Sequence, residues 1–406
     1  MAVIGAVTVD GRQKDLPSLA VDDLAARLRG ELIRTGDSAY EAAREVWNGM
    51  IDRRPALVGR CVAASDVVAA VNFARDNELP LAVRGGGHGV AGHALCDGGL
   101  VIDLSEMNGV DVDPQARMAR AQGGCTLGDL DRATQRHGLA TPLGVVTETG
   151  IAGLTLSGGV GHLRRKHGLS CDNLASVEVV TADGSQLTAS EGENADLFWA
   201  IRGGGGNFGV VTSFEYRLHP VGPEVFVCFA FYPADRAIEV LRSCERYLKD
   251  VPEDVSPLAF FGRVPEAEEF PTESHGKPYA TLLALHPGDP VKGERILEPL
   301  RRIADPIADL SGVMPYTDAQ AILDEDYPDG WRYYWKSVNL PELSDAVIDR
   351  LAGHAAAAPL AALDPRHLVP GRRDGACRRT GDRVRQPLGA LPDRDRGELG
   401  GGFRLR

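Results

Sequence analysis

The sequence predicts an α+β fold in two parts. From residue 56 to residue 303, short strand-like apolar runs alternate with segments whose apolar residues recur at helical spacing. Pro220 and Pro223 interrupt this alternation and favour a domain boundary. A chain of 406 residues is long enough for two domains. We therefore divide it into a helical N-terminal segment (1–50), a first domain (51–222), a smaller α+β domain (223–364) and an irregular tail (365–406).

The elements of the first half follow from local patterns. Leu24, Leu28 and Leu32 recur at helical spacing, so we expect residues 1–50 to be mostly helical. Ser65 is a suitable N-cap for a helix that runs to Asn77. Further helices are predicted at 127–137 and 194–201, and strands at 56–62, 81–83, 100–104, 118–121, 177–181 and 210–218.

The second half contains fewer elements and then changes character. Strands are predicted at 225–231 and 280–285, and helices at 237–248 and 293–303. Residues 366–406 contain eleven arginines, eight glycines and no lysine, and they sustain no helical or strand period. This composition is typical of GC-rich coding sequence translated out of frame, so we expect the native C terminus to be replaced after about His367. A natural disordered basic tail is the alternative.

Composition and charge narrow the functional class. The chain is 43% hydrophobic and 25% charged, which is typical of a globular enzyme. A net charge of −13 disfavours nucleic acid as a partner, because phosphate binding requires a basic surface. No apolar stretch approaches the roughly 20 residues that span a bilayer, and the first residues lack the apolar core of a secretory signal. We therefore expect a cytoplasmic protein without membrane contacts.

The cysteines and histidines give no metal or disulfide pattern. The seven cysteines are odd in number and widely spaced, and no C-x-x-C motif occurs. That spacing argues against a disulfide framework and a zinc site. His93 and His162 have no partner at metal-ligand spacing. The sequence thus predicts no bound metal.

Two glycine clusters could hold a phosphate-bearing cofactor. Residues 204–209 match G-x-G-x-x-G literally, but a predicted helix precedes them and a strand follows. A dinucleotide fingerprint needs the opposite order, so we set a nicotinamide-dependent dehydrogenase aside. Arg84 to Gly89, RGGGHG, follows a predicted strand, and its backbone N–H groups could form an anion-binding concavity. The alternative is a tight surface turn.

His88 lies inside this second cluster. A histidine held rigidly beside a flavin can form a covalent bond to it through an imidazole nitrogen. The alternative is a histidine that only hydrogen-bonds to the backbone.

Six blocks of the first half, in order, resemble the FAD-binding domain of the berberine bridge enzyme-like oxidases, in the vanillyl-alcohol oxidase and p-cresol methylhydroxylase (PCMH) superfamily. The blocks are RGGGHG (84–89), GGLVIDLSEMN (98–108), GGCTLGDLDRAT (123–134), TGIAGLTLSGGVGHLRRKHGLSCDNL (149–174), VVTADG (179–184) and LFWAIRGGGGNFGVVTSFEYRL (197–218). The resemblance implies a PCMH-type FAD-binding domain of two α+β subdomains. It also implies a following substrate domain with an antiparallel sheet.

The resemblance assigns cofactor-binding roles to two segments and one further residue. The pyrophosphate would lie on Arg84, Gly85, Gly86, Gly87, His88 and Gly89, and His88 would carry the flavin. The second segment would contribute Thr149, Gly153, Ser157, Gly159 and Gly161, and Val210 would contact the adenine side. Doubly linked relatives carry a cysteine where this chain has Val146. The resemblance therefore implies a single histidyl bond.

The implied reaction removes a hydride from a C–H bond next to a hydroxyl or amine of a small molecule or sugar, and O₂ reoxidises the flavin. Tyr333, Tyr334 and Lys336 are the candidate catalytic residues, since a nearby cation could lower a tyrosine pKa enough for it to act as a base. The alternative is that these aromatic side chains pack a strand. Family members also place cofactor contacts in a C-terminal segment that is absent here. A flavin-binding protein with little or no turnover is therefore the alternative function.

Overall fold

The structure is a computed structural model that describes residues 4–340 and 342–357, with side chains up to Gly353. The predicted frameshift after about His367 lies outside these residues.

Between residues 4 and 217 the structure describes twelve strands and seven α-helices. The strands are β1 (Ile4–Val7), β2 (Gln13–Leu16), β3 (Glu31–Arg34), β4 (Leu57–Arg60), β5 (Leu81–Arg84), β6 (Leu100–Asp103), β7 (Val110–Asp113), β8 (Met118–Gln122), β9 (Leu139–Ala140), β10 (Leu174–Val180), β11 (Gln186–Ser190) and β12 (Val210–Arg217). The helices are α1 (Ser18–Arg27), α2 (Tyr40–Ala43), α3 (Ala64–Asp76), α4 (Leu127–Gln135), α5 (Ile151–Leu156), α6 (Arg164–His167) and α7 (Ala195–Gly204).

One sheet of this part has the order β3-β4-β6-β5, and β4, β6 and β5 run parallel. Its central strands are apolar on both faces, as expected for parallel strands, and Leu57, Val101 and Ile102 are fully buried. The carboxyl ends of parallel strands meet at one edge of the sheet. That edge presents the loop after β5, which contains His88.

A second, wholly antiparallel sheet has the order β11-β10-β12-β8-β7. Phe214 and Tyr216 of β12 are fully buried in its core, together with residues of α4, α5 and α7. The end of β8 lies directly beside the loop after β5, because a Cβ on Gly85 would stand 3.1 Å from the Gly123 carbonyl oxygen. The two sheets therefore meet at the glycine loop.

The second part forms a smaller α+β unit with an antiparallel sheet. β13 (His219–Pro220) pairs with β9 of the first part. The strands of the smaller unit are β14 (Glu224–Pro233), β15 (Leu258–Arg263), β16 (Pro278–His286), β17 (Ala308–Asp309) and β18 (Gly312–Pro315). Its helices are α8 (Ala237–Asp250), α9 (Pro290–Arg301), α10 (Tyr316–Ala321) and α11 (Asp345–Ala357). The sheet has the order β15-β16-β14-β17, and β18 also pairs with β14.

The α+β class is confirmed, and each helix and strand predicted from residue 56 onward exists within about three residues of its predicted ends. The prediction for residues 1–50 is wrong, because α1 ends at Arg27 and three strands lie in this segment. Leu32 belongs to β3, where it pairs with Gly59 of β4. This long-range pairing overrides the local helical spacing.

Ser65 is not the N-cap of α3. Ala63 occupies that position without a side-chain hydrogen bond, and Ser65 lies in the first turn of the helix. The buried carboxylate of Asp66 instead accepts hydrogen bonds from the backbone N–H groups of Val62 and Arg29. An acid in the first turn thus ties the start of α3 to the end of α1.

None of the helices in 4–340 and 342–357 combines the length and the apolar composition that a bilayer crossing requires.

Candidate cofactor and active site

The glycine loop after β5 packs backbone against backbone with the segment before α5. A Cβ on Gly86 would stand 2.3 Å from the backbone nitrogen of Gly150, and a Cβ on Gly150 would stand equally close to that of Gly86. Gly87 has a φ of +71°, a conformation that favours glycine. The residue types in RGGGHG are therefore fixed partly by this close contact between the two predicted cofactor segments.

The same loop offers a row of backbone donors. Among the residues described, none accepts a hydrogen bond from the N–H groups of Gly86, Gly87, His88 and Gly89. Successive N–H groups without partners, on a loop without bulky side chains, form a suitable concavity for a phosphate group. The loop therefore fits the pyrophosphate that the resemblance places there.

Arg84, the last residue of β5, differs from the loop that follows it. Its guanidinium pairs with the fully buried carboxylate of Asp103 and donates to the carbonyl oxygen of Ala43 at 2.8 Å. These bonds hold the end of β5 against β6 and the segment around α2. The side chain thus serves the fold, and the concavity consists of backbone donors.

The second predicted segment divides into exposed and packed positions. Gly153 on α5 and Ser157, which directly follows this helix, are exposed. Gly159 and Gly161 are buried, and a Cβ on Gly161 would stand 1.8 Å from the Leu143 carbonyl oxygen. Val210 is 4% exposed and packs in an apolar cluster. The glycines at 159 and 161 and the Val210 side chain thus have a packing role.

Thr149 and His88 come together. The Thr149 hydroxyl lies 3.4 Å from His88 Nδ1. Thr147, two residues earlier, donates from its backbone N–H to Asp324 at 2.8 Å, and its hydroxyl donates to the same carboxylate. Asp324 follows α10, so the second part of the chain holds the segment that contacts His88.

An aromatic stack borders His88. The Trp47 ring stacks on the imidazole at a centroid distance of 4.9 Å, and the Tyr333 ring stacks on Trp47 at 3.8 Å. The Trp47 indole N–H donates to the Tyr327 carbonyl oxygen at 2.8 Å. The Asn48 amide donates to the backbone carbonyl oxygens of Val90 and Tyr333, both at 2.9 Å. Residues 47 and 48 therefore join the His88 loop to the segment around Tyr333.

Two carboxylates face His88. One imidazole nitrogen and one oxygen each of Glu148 and Asp329 lie within 4.8 Å of one another. Burial lowers the pKa of His88, although Asp329 and Asp324 oppose that effect. Burial and the same two aspartates raise the pKa of Glu148. The imidazole is therefore poised to be neutral, and Glu148 is a stronger base than an ordinary glutamate.

Comparisons with known proteins identify the family. An FAD binding domain model matches residues 55–190. An FAD-linked oxidoreductase of Dictyostelium discoideum is 33% identical over 341 residues, which covers 83% of this chain and 72% of the relative. The (R)-6-hydroxynicotine oxidase of Paenarthrobacter nicotinovorans is 32% identical over 375 residues, with coverages of 90% and 79%. The solved structure of BBE-like 1 from Physcomitrella patens has a TM-score of 0.72 at 25% identity, covering 83% of this chain and 75% of that one.

The chain belongs to the berberine bridge enzyme-like FAD-linked oxidoreductases. The PCMH-type fold and the oxidoreductase class predicted from the sequence are thereby confirmed. FAD is the cofactor of this domain family. The matched range contains both predicted cofactor segments, 84–89 and 149–161. The expectation that the protein holds no metal stays a prediction.

Tyr333, Tyr334 and Lys336 of this oxidoreductase lie in a segment without regular structure, so the alternative in which they pack a strand is wrong. Tyr333 is part of the aromatic stack, and Tyr334 is 66% exposed. The Lys336 ammonium lies 5.8 Å above the Tyr334 ring. Burial, reinforced by Asp329, raises the pKa of Tyr333 to about 12. The expected lowering of a tyrosine pKa is therefore wrong for Tyr333.

Sequence reasoning missed Trp47, Glu148, Asp324 and Asp329. Glu148 directly precedes Thr149 and was the easiest to find, since it adjoins a predicted cofactor residue. Asp329 lies in a Pro-Asp-Gly sequence, which favours a turn but says nothing about its neighbours, and Asp324 precedes it without any motif. Trp47 fell in a segment that was wrongly predicted to be helical. Tertiary packing alone brings these residues to His88.

Proposed function

We propose that the protein is an oxidase in which FAD is attached covalently through His88 alone. The substrate is a small molecule or sugar that loses a hydride from a C–H next to a hydroxyl or an amine, and O₂ is the final electron acceptor. The observation that carries the proposal is the position of His88 between the phosphate-binding concavity and the aromatic stack. This position suits a residue that holds the isoalloxazine end of a cofactor whose pyrophosphate occupies the loop.

The residues available fit FAD. Gly86, Gly87, His88 and Gly89 would donate to the pyrophosphate through their backbone N–H groups. Gly153 on α5 and Ser157 directly after it are accessible. The first turn of α5 packs beside the loop, because a Cβ on Gly85 would stand 3.5 Å from the Cβ of Ala152. When bound, FAD supplies the two-electron acceptor for hydride transfer.

His88 has the properties that a covalent attachment site requires. Its lowered pKa keeps the imidazole neutral and therefore nucleophilic near neutral pH. The glycines on either side leave the ring accessible, while Trp47 and Thr149 restrict its orientation. Val146 offers no thiol for a second bond.

The segment 333–336 would contact the substrate. Tyr333 is held by its stack on Trp47 and by its hydroxyl, which donates to the Pro328 carbonyl oxygen at 2.6 Å. It would therefore fix the position of the segment that contacts the substrate. Tyr334 and Lys336 are exposed and free to meet a substrate. We assign substrate contact to both side chains and proton acceptance to the Tyr334 hydroxyl, with the Lys336 ammonium beside its ring.

The oxidase proposal predicts fast reoxidation by O₂. The purified protein would be photoreduced without air and then mixed with aerated buffer, while flavin absorbance and H₂O₂ are followed. We expect full recovery of the oxidised spectrum with one H₂O₂ per flavin. Slow recovery in air, with fast oxidation by an artificial acceptor, would identify a dehydrogenase. Rapid reoxidation by O₂ together with no reduction by any of a panel of alcohols, sugars and amines would favour the flavin-binding protein without turnover.

A further inference from the structure

The proposed chemistry uses His88 but gives no role to the two carboxylates beside it. Glu148 directly precedes Thr149, the first residue of the second predicted cofactor segment. Asp329 lies in the loop between Asp324 and Tyr333. Both are exposed, whereas His88 is half-buried. Two acidic side chains from distant segments thus converge on one imidazole.

We propose that Glu148 and Asp329 are the proton acceptors for attachment of the flavin to His88. The inference rests on the proposed histidyl bond and deepens it. In the attachment, an imidazole nitrogen forms a bond to the C8 methyl carbon of the isoalloxazine, a C–H bond of that methyl group breaks, and the imidazole N–H bond breaks. The two electrons reduce the isoalloxazine and then pass to O₂, which leaves as H₂O₂ with the two protons.

Each proton in this step needs a base, and His88 cannot serve as its own. The carboxylate oxygens lie within 4.8 Å of an imidazole nitrogen but beyond hydrogen-bond distance, so each would accept its proton through one water molecule or after a small side-chain movement. The Thr149 hydroxyl at 3.4 Å from Nδ1 is neutral and not basic. Tyr333, the other titratable ring of the stack, has a raised pKa and stays protonated.

The electrostatics of the cluster support the assignment. Asp324 and Asp329 add negative charge around Glu148, which raises its affinity for a proton, and burial keeps the His88 ring neutral. Asp324 itself is occupied by Thr147, to which it is bonded through both the backbone N–H and the hydroxyl. Glu148 and Asp329 are therefore the carboxylates left to act on the imidazole.

The test compares total flavin with the flavin that stays in the acid-precipitated pellet. The full-length wild type, the Glu148→Gln/Asp329→Asn double variant and the Glu325→Gln control are produced in the same way. Glu325 is an exposed acid on the same short helical turn as Asp324. We expect the double variant to bind FAD but to lose at least about 10-fold in the acid-stable fraction, since a general base contributes on the order of 10²–10⁴ in rate.

Conservative variants separate proton acceptance from a structural role. The Glu148→Asp/Asp329→Asn variant keeps a carboxylate at position 148 and should retain more acid-stable flavin than Glu148→Gln/Asp329→Asn, which has none. If the double variant fails to retain FAD, the ratio of acid-stable to total flavin is measured in Glu148→Gln and in Asp329→Asn separately, and a lower ratio than in the wild type is expected.

Two results would overturn the inference. One is an unchanged acid-stable fraction in the double variant. The other is an acid-stable fraction that depends on added divalent cation and disappears with a chelator. That result would mean that His88, Glu148 and Asp329 bind a metal ion. Release of all flavin by acid from the wild type would instead contradict the proposed function itself.

Discussion

At the scale of single residues, burial controls the chemistry of the polar groups. The same physical effect keeps the His88 ring neutral and the Tyr333 hydroxyl protonated. It also acts on Asp131 of α4, which is 2% exposed and accepts a hydrogen bond from Gln320 of α10 at 3.0 Å. The other Asp131 oxygen has no partner in the described part of the chain. An acid in this environment favours its neutral form.

The Asp131 carboxyl should make stability depend on pH. Burial raises its pKa from 3.8 to about 7. Between these values the folded protein holds a proton that the unfolded chain releases, so stability is greatest at the acidic end and falls as pH rises through about 7. Asp131→Asn removes this decline of up to about 1.4 kcal/mol per pH unit. The free energy of unfolding of Asp131→Asn, minus that of the wild type, should therefore increase from about pH 5 to about pH 8.

Urea unfolding at several pH values measures this difference. Asp318→Asn is the matched control, since Asp318 is an exposed acid on α10. Parallel pH profiles for the wild type and Asp131→Asn would show that Asp131 titrates normally.

At the scale of elements, local signals predicted α4 well and the N-terminal strands badly. Thr126 caps α4, and Asp129 completes the capping box, so the start of this helix is encoded within four residues. β3 exists because it pairs with β4, some 25 residues away in the sequence. The helical spacing of Leu32 with Leu24 and Leu28 carries no information about that partner. Local signals thus encode the start of α4, and they fail for β3, where a helical spacing of apolar residues overlaps a strand that a distant partner stabilises.

The contact between the loop after β5 and the residue before α5 should not tolerate a side chain. An added Cβ at position 86 would collide with Gly150 backbone atoms at 2.3 and 2.6 Å, which cannot move as a flexible side chain would. Gly86→Ala should therefore lower the free energy of unfolding by about 1–3 kcal/mol and reduce flavin retention. Denaturant unfolding and the ratio of flavin to protein absorbance measure both effects.

Gly89→Ala is the control for stability within the same loop, because a Cβ there meets no atom within 4 Å. Equal stability losses in the two variants would contradict the steric account.

At the scale of the whole molecule, the sequence predicted the cofactor segments but not the surroundings of His88. The concavity is one contiguous run of residues, so its function could be inferred from RGGGHG and its neighbours. The ring stack and the acidic pair combine residues 47, 148, 329 and 333, which only the complete fold brings together. Residues spread over the chain in this way leave no local pattern, which is why Trp47 and Asp329 were missed and the tyrosine pKa was wrongly predicted.

The central claim is that His88 holds FAD covalently in a folded first domain. Acid precipitation of the purified full-length protein, followed by visible spectra of the pellet and the supernatant, tests it most directly. We predict that the flavin spectrum stays with the wild-type pellet and moves to the supernatant in His88→Ala. Flavin released from the wild type, or retained in the pellet of His88→Ala, would contradict the account.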